Sequence, residues 1–366
     1  MKFIINKEEL AQKLQIIFGP TTTKQNFPIL NSVLISALSN NKLRFITTDL
    51  DITIISSQEA TVSETGEIAI PMKRFISIVK ELPPHNITIE TTKNNLLIKC
   101  EKIEFKLNTL DPKEFPIIEE VKKISLIKIN SCDLEEMIRL TSFCVGYEDT
   151  NYVLNGIFFE ISNDNINTIA TDGKRLSFIS KKLPASQPEV KTKISFILPI
   201  KAVNELYKLI KEENSEIFLS IEENKITFDL KGTQFIARPI EGEFPNYSQY
   251  IPKENKDKLK INRLQLILAL RRADLLSTPD YQGVKLELKK DGLVVSKNTP
   301  QLGEVKELLD AQYAGAALQI GFNPNYLIDA LKNLEDQDVS FEFFGPDKPA
   351  VLRKENYIYL TLPIKM

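Results

Sequence analysis

The stretch Ile70-Pro71-Met72-Lys73-Arg74-Phe75-Ile76-Ser77-Ile78-Val79 has two echoes further along the chain. They are Leu198-Pro199-Ile200-Lys201-Ala202-Val203-Asn204-Glu205-Leu206 and Phe322-Asn323-Pro324-Asn325-Tyr326-Leu327-Ile328-Asp329-Ala330-Leu331. In each, an apolar residue leads to a proline and then to apolar positions at helical spacing. Proline suits a first helical turn because the N–H it lacks has no intrahelical partner there. The three prolines lie 128 and 125 residues apart, a period of domain size and longer than that of a solenoid repeat.

Working outward from these stretches, a second set of landmarks keeps the same register. Asn31-Ser32-Val33-Leu34-Ile35, Asn155-Gly156-Ile157-Phe158-Phe159-Glu160 and Gln282-Gly283-Val284-Lys285-Leu286-Glu287 read as strands, 124 and 127 residues apart. Ahead of each runs an amphipathic helix, over Lys7 to Phe18, Cys132 to Phe143 and Asn262 to Ser277. Short alternating segments, among them Lys42 to Thr47, Glu216 to Ile221 and Lys225 to Leu230, predict half-buried antiparallel strands between Asn, Gly and Asp turns. Glu114-Phe115-Pro116 and Glu243-Phe244-Pro245 precede polar stretches, Glu119 to Lys123 and Lys253 to Lys258, that read as linkers. The expected architecture is α+β: three repeated domains at 1–124, 125–255 and 256–366, each with two helices on antiparallel sheet.

Composition narrows the chemistry. With 366 residues, 42% hydrophobic and 26% charged, the chain is neither disordered nor fibrous. Three scattered cysteines and one histidine, His85, give no disulfide framework and no zinc spacing, so neither a metal nor another cofactor is expected. The first apolar run stops after Phe3-Ile4-Ile5 and no later stretch approaches the ~18 apolar residues of a membrane span, so a soluble, cytoplasmic protein with no membrane partner is expected. The formal net charge is only −2. Yet the six helical stretches 7–18, 72–81, 131–143, 199–211, 262–276 and 324–334 hold 13 basic and 9 acidic residues, against 34 and 40 in the remainder. Such a mild, spread positive charge reads either as ordinary solvated helix faces or as sequence-independent contact with phosphate.

Further motifs recur in order: Phe27-Pro28-Ile29-Leu30, Thr48-Asp49-Leu50, Asn155-Gly156, Ala170-Thr171-Asp172-Gly173-Lys174-Arg175-Leu176, Phe244-Pro245-Asn246-Tyr247, Ile320-Gly321-Phe322-Asn323 within Gly315 to Leu331, and Leu362-Pro363-Ile364. Set in a threefold repeat, these motifs resemble the bacterial sliding clamp family, the beta subunit of the DNA polymerase III holoenzyme, over essentially the whole chain. The resemblance implies a non-catalytic subunit. Two copies would close head to tail into a ring, a homodimer with duplex DNA through its hole. The ring would tether the polymerase catalytic subunit, the clamp-loader complex, and other polymerases and repair proteins through short peptide motifs. Retention would then be topological, so weak, salt-screened contacts suffice and sliding stays fast.

The resemblance also implies site residues. DNA contacts fall to Lys24 in the loop Thr21 to Gln25, which reads equally as a solvated lysine, and to Lys73, Arg74, Tyr152 and Lys201. Beside Tyr152, Val153 and Asn151 stand where the family usually has another aromatic and an arginine. Arg271 and Arg272 are added from charge alone. A pocket for a peptide with a glutamine and a hydrophobic tail maps to Leu154, Thr171, Gly173, Lys174, Arg175, Leu176, Pro245, Gln249, Tyr250, Asn323, Tyr326, Ala350, Leu360, Leu362, Pro363 and Ile364. Lys174, Gln249 and Tyr250 differ from what many members carry. Taken as residues alone, Leu360, Leu362 and Ile364 are alternating positions of a last strand. The subunit contact maps to Leu275 and Leu276, with Lys80 or Lys102 facing Glu304 and Glu307 at its rim.

Two other readings start from the same residues. An enzyme would use Thr48-Asp49-Leu50-Asp51 or Thr171 to Arg175 as acid–base pairs, but no nucleophile triad, phosphate loop or metal cluster accompanies them, and Asp172-Gly173 reads as a hairpin turn. A scaffold without DNA could share the repeat. An enzyme would lose all function on a single carboxylate change, whereas a clamp would fail only when its ring contact or its pocket is broken.

Overall fold

Helices form where the apolar period runs: α1 (Lys7–Ile16), α2 (Met72–Glu81), α3 (Ser131–Thr141), α4 (Ile200–Ile210), α5 (Arg263–Asp274) and α6 (Pro324–Lys332). The computed structural model describes residues 1–22, 27–92, 95–118, 127–147, 149–184, 190–211, 215–222 and 224–365. Lys24 and the expected linker over 119–123 lie outside the described residues. Four helices start on an asparagine cap, α3 among them, where Asn130 accepts the Cys132 N–H at 2.9 Å. The Asn6 side chain accepts from the N–H of Glu8 and Glu9, Asn262 from Gln265, and Asn323 from Asn325. α2 has no such cap, because Pro71 stands at that position and carries no acceptor side chain. Its first turn holds Lys73 and Arg74 and no acidic residue, a placement the helix dipole disfavours.

The helices are shorter than the apolar pattern. α1 ends at Ile16, yet Ile17 is fully buried, because the periodicity records burial and continues into the turn after the last helical residue. α3 likewise gives way to a 3-10 turn over Ser142–Cys144 that keeps Cys144 buried.

By contact the chain divides into two units, Met1–Leu134 with Asn204–Pro239, and Glu135–Val203 with Ile240–Met366. In the first, α1 packs on α2, with Leu10 and Leu14 of one and Phe75 and Val79 of the other buried. One of its sheets has the order Thr61–Glu64, Lys2–Asn6, Asn86–Thr92, Asn95–Cys100, Ile103–Asn108. The other runs Ile127–Asn130, Glu216–Glu222, Lys225–Leu230, Thr233–Ala237, Ile52–Glu59, Lys42–Thr48, Ser32–Leu38, Gly66–Pro71. It therefore joins strands of the first and middle repeats, with Phe235 opposite Ile54 and Ala237 opposite Ile52.

The second unit repeats this plan. α5 packs on α6, and a nine-stranded sheet joins the middle and last repeats where Arg175–Lys182 pairs antiparallel with Tyr357–Thr361, Leu176 opposite Leu360. A four-stranded sheet has the order Gly303–Leu309, Gly292–Thr299, Val284–Lys289, Leu318–Phe322. Strands of the middle repeat are thus shared between the units, since antiparallel pairing carries each large sheet from one repeat into the next. Ile103–Asn108 and Gly303–Leu309 each end a sheet with one side unpaired.

Candidate functional site

In the second unit, the turn between strands Asn165–Thr171 and Arg175–Lys182 is built by its own side chains. Thr171 Oγ1 donates to the Arg175 carbonyl and accepts the Gly173 N–H, at 2.6 and 3.1 Å. Asp172 Oδ1 accepts the N–H groups of Lys174 and Arg175, each at 2.9 Å. Gly173 sits at φ +82°, where a residue without Cβ is unstrained.

Arg175 is 9% exposed, and its guanidinium donates to Asp172 Oδ2 at 3.0 Å and to Asp329 Oδ2 of α6 at 2.8 Å. It lies over the Tyr326 ring, 4.5 Å from the centroid. Burial opposes its charge, but the Asp329 and Asp172 carboxylates beside it hold the guanidinium charged and its pKa is raised. Burial also pushes the Cys144 thiol and the Tyr359 hydroxyl up, so both stay neutral. Tyr247 is pushed up to about 12 by burial and by Glu160, which accepts its hydroxyl hydrogen bond. Arg175→Ala strands two carboxylates beside a half-apolar junction, which costs about 3–5 kcal/mol. The expected outcome is a thermal midpoint lower by at least about 6 °C, checked by calorimetry against Arg175→Lys.

Beside this ion pair lies an apolar cluster of Ile169, Leu176, Ile197, Phe244, Val351 and Leu360, with Phe158 stacked on Phe244 at 4.7 Å. Leu154 packs on its margin. The chain end is strapped along it, Leu362 N–H to the Lys174 carbonyl and Ile364 N–H to the Gly321 carbonyl, both at 2.8 Å. Leu362 remains 43% exposed, and Tyr250, in the turn Ser248–Tyr250, 59%. The structure thus brings together Leu154, Thr171, Gly173, Lys174, Arg175, Leu176, Tyr326, Leu360, Leu362, Pro363 and Ile364 around this ion pair and the margin of the apolar cluster.

Other expected pocket residues have supporting places. Ala350 is buried opposite Thr361, Asn323 caps α6, and Pro245 and Gln249 are exposed on the segment after Phe244. Sequence reading named Asp172 and Phe244 in its motifs but left them, and Asp329, out of the expected pocket. Asp329 had a signal, since it lies three residues after Tyr326 and so shares its helix face.

The expected DNA contacts lie on separate elements. Lys73 and Arg74 are exposed on α2, Lys201 is half-buried in the first turn of α4, and Tyr152 is 56% exposed in the turn Asp149–Leu154. Arg271 is exposed on α5. Arg272 instead gives both Nε and Nη2 to Glu307, which joins an expected DNA contact to an expected subunit-contact residue within one chain.

Of the other expected subunit-contact residues, Leu275 is 81% exposed just after α5, and Leu276 is half-buried. The segment that follows is held by Lys297, which donates to the carbonyls of Tyr281 and Gly283 at 2.8 and 2.9 Å. Desolvation lowers the Lys297 pKa. Glu304 is exposed on the edge strand Gly303–Leu309, which also exposes Leu308 at 70%. Lys80 donates to Gln15 Oε1 at 2.7 Å, and Lys102 is exposed ahead of Ile103–Asn108. Sequence reading missed that edge strand with its exposed Ile103 and Phe105, although the alternation Ile103-Glu104-Phe105-Lys106-Leu107 signals it. Among the described residues, no group of three His, Cys, Asp or Glu side chains could hold a metal.

Models of the DNA polymerase III beta subunit match in series: its N-terminal domain over 1–119, its central domain over 128–246 and its C-terminal domain over 248–364. The chain belongs to the bacterial beta sliding clamp family. Beta sliding clamps of Proteus mirabilis and Bacillus subtilis are 31% and 30% identical to it over the full length of both chains. The crystal structure of the B. subtilis sliding clamp matches with a TM-score of 0.94 at 30% identity, covering 100% of this chain and 99% of that one. The Pseudomonas aeruginosa beta subunit matches with a TM-score of 0.94 at 28% identity, covering both chains fully. As a beta sliding clamp, the chain is a non-catalytic processivity factor of the polymerase III holoenzyme. Asp49 and Asp172, which an enzyme reading would make acid–base groups, hold N–H groups of their own turns.

Proposed function

We propose that two copies of this clamp, each with domains at 1–124, 125–255 and 256–366, close head to tail into a ring around duplex DNA. The ring tethers the polymerase III catalytic subunit, the clamp loader and other replication and repair proteins by short peptides held in the groove beside Arg175. It works in the cytoplasm; among the described residues no helix is long and apolar enough to cross a membrane.

The observation that carries the ring is the pair of unpaired, partly apolar edges among the described residues, Ile103–Asn108 with Ile103 and Phe105, and Gly303–Leu309 with Leu308, joined through Glu307 and Arg272 to the end of α5, where Leu275 is exposed. Exposed edges invite strand pairing. Two different edges make a heterologous contact, which closes a ring when the rotation allows. Lys102 near one edge and Glu304 on the other have opposite charge. Retention of the protein on nicked circular duplex, after loading by a clamp-loader ATPase, tests the reading. A ring stays on the circle and leaves once a restriction cut linearises it; retention that ignores the cut and only falls with salt marks an ordinary DNA binder.

Lys73 and Arg74 place cations at a helix start that disfavours them, which supports a role outside the fold. Replacing both by alanine is expected to flatten the salt dependence of equilibrium DNA binding by about 0.9 in log–log slope for each phosphate that is no longer neutralised. Retention on the closed circle stays at the parent level, because topology and not affinity holds the ring. An unchanged slope would remove these residues from the interface.

A further inference from the structure

The turn Thr48 to Ile52 in the first unit repeats the turn Thr171 to Arg175 bond for bond. Thr48 Oγ1 donates to the Ile52 carbonyl at 3.0 Å and accepts the Leu50 N–H at 3.1 Å, as Thr171 does with Arg175 and Gly173. Asp49 Oδ1 accepts the N–H groups of Asp51 and Ile52 at 3.0 and 2.7 Å, as Asp172 does with Lys174 and Arg175. The Arg238 N–H reaches the Asp51 carbonyl at 2.9 Å, as the Leu362 N–H reaches that of Lys174. Beneath lies an apolar cluster of Ile46, Ile55, Phe115 and Ile236, in which Phe115-Pro116 repeats Phe244-Pro245.

The differences between the two turns point to a ligand. Where the groove beside Arg175 has Gly173 at φ +82°, this turn has Leu50 at φ +81°. A leucine is strained in that conformation, and glycine performs the same turn at 173 without strain. The Leu50 side chain does not compensate by burial, since it is 47% exposed. Retained strain of this kind is a mark of function. Where the first groove has Leu362, this one has Arg238, exposed and with no carboxylate partner among the described residues. Phe27, 59% exposed, begins the turn Pro28–Asn31, whose Ile29 packs on the cluster.

We infer that the junction of strands Ile52–Glu59 and Thr233–Ala237 is a second docking groove, taking a short extended segment of a partner protein that offers apolar side chains to Leu50 and Phe27 and an acidic residue to Arg238. The inference rests on the reading that the groove beside Arg175 takes peptides. A clamp with both grooves holds two segments per chain, and differs in selectivity between them because the second presents an arginine with no carboxylate partner among the described residues, whereas Arg175 is held by two.

Titration calorimetry on the full-length protein tests it, with an acetylated hexapeptide Gln-Asp-Leu-Asp-Leu-Phe as probe. Two peptides per chain are expected, falling to one in Leu50→Gly and in Arg238→Glu, with the groove beside Arg175 still filled. In Leu362→Asp the remaining peptide is the one that Leu50→Gly loses. Leu50→Gly relieves backbone strain, so its thermal midpoint is expected no lower than that of the parent, which separates impaired binding from impaired folding. One peptide per chain, lost in Leu362→Asp and untouched by Leu50→Gly, overturns the second groove and leaves the first standing. No binding to the parent protein overturns both.

Discussion

Leu275→Asp is expected to give a folded monomer that no longer stays on closed circular DNA. Leu275 is 81% exposed within the chain, so the substitution touches no core and the monomer keeps its stability. In a head-to-tail ring the same side chain is covered twice, once at each interface. Burying a leucine contributes about 1.5–3 kcal/mol, so the two interfaces together weaken by about 3–6 kcal/mol, or roughly 10²- to 10⁴-fold in the dimer constant. An aspartate buried without a partner weakens them further. The rim charges count for less. Exposed ion pairs give about 0–1 kcal/mol, and Glu307 is already engaged by Arg272 of its own chain. Sedimentation equilibrium reads the dimer constant and retention on the nicked circle reads its consequence. A variant that stays dimeric at parent concentrations would place the ring interface elsewhere.

What the sequence makes legible, and what it hides, follows from the range of each interaction. The repeat is legible because a proline before an apolar helical period is a local signature, present at Pro71, Pro199 and Pro324. The antiparallel strands are legible for the same reason. The pairing of Thr233–Ala237 with Ile52–Glu59 is not, since it joins segments far apart in the chain whose alternation fits many partners. Arg175 shows the same limit at the groove. Its place in a motif suggests a surface contact, but Asp329, 154 residues away, draws the guanidinium inward against α6. Leu50 hides differently. Nothing in Thr48-Asp49-Leu50-Asp51 announces a positive φ, because a leucine there defies the usual preference for glycine or asparagine.

Leu362→Asp is expected to separate tethering from encirclement. The backbone N–H of Leu362 holds the Lys174 carbonyl, and a side-chain substitution leaves that bond in place, so the last strand stays strapped to its turn. The side chain is 43% exposed, two residues after Leu360 of the apolar cluster, available to a bound peptide but not needed by the core. Removing its apolar surface costs the peptide about 1–2 kcal/mol. An aspartate there also sets a carboxylate against apolar peptide side chains, and Arg175 is already held by two carboxylates. Together these predict a drop of roughly 10²-fold in peptide affinity, read by fluorescence polarisation. Loading should slow, because the loader docks in the same groove, but each ring once loaded should stay on the nicked circle as long as the parent's, since the ring interface lies on other residues. Polymerase extension on a primed single-stranded circle should fall to the short products made without a clamp. Leu275→Asp should give the same short products by losing the ring itself, so only the two assays together tell a missing tether from a missing ring. Equal peptide affinity in Leu362→Asp and the parent would move the docking site away from this groove.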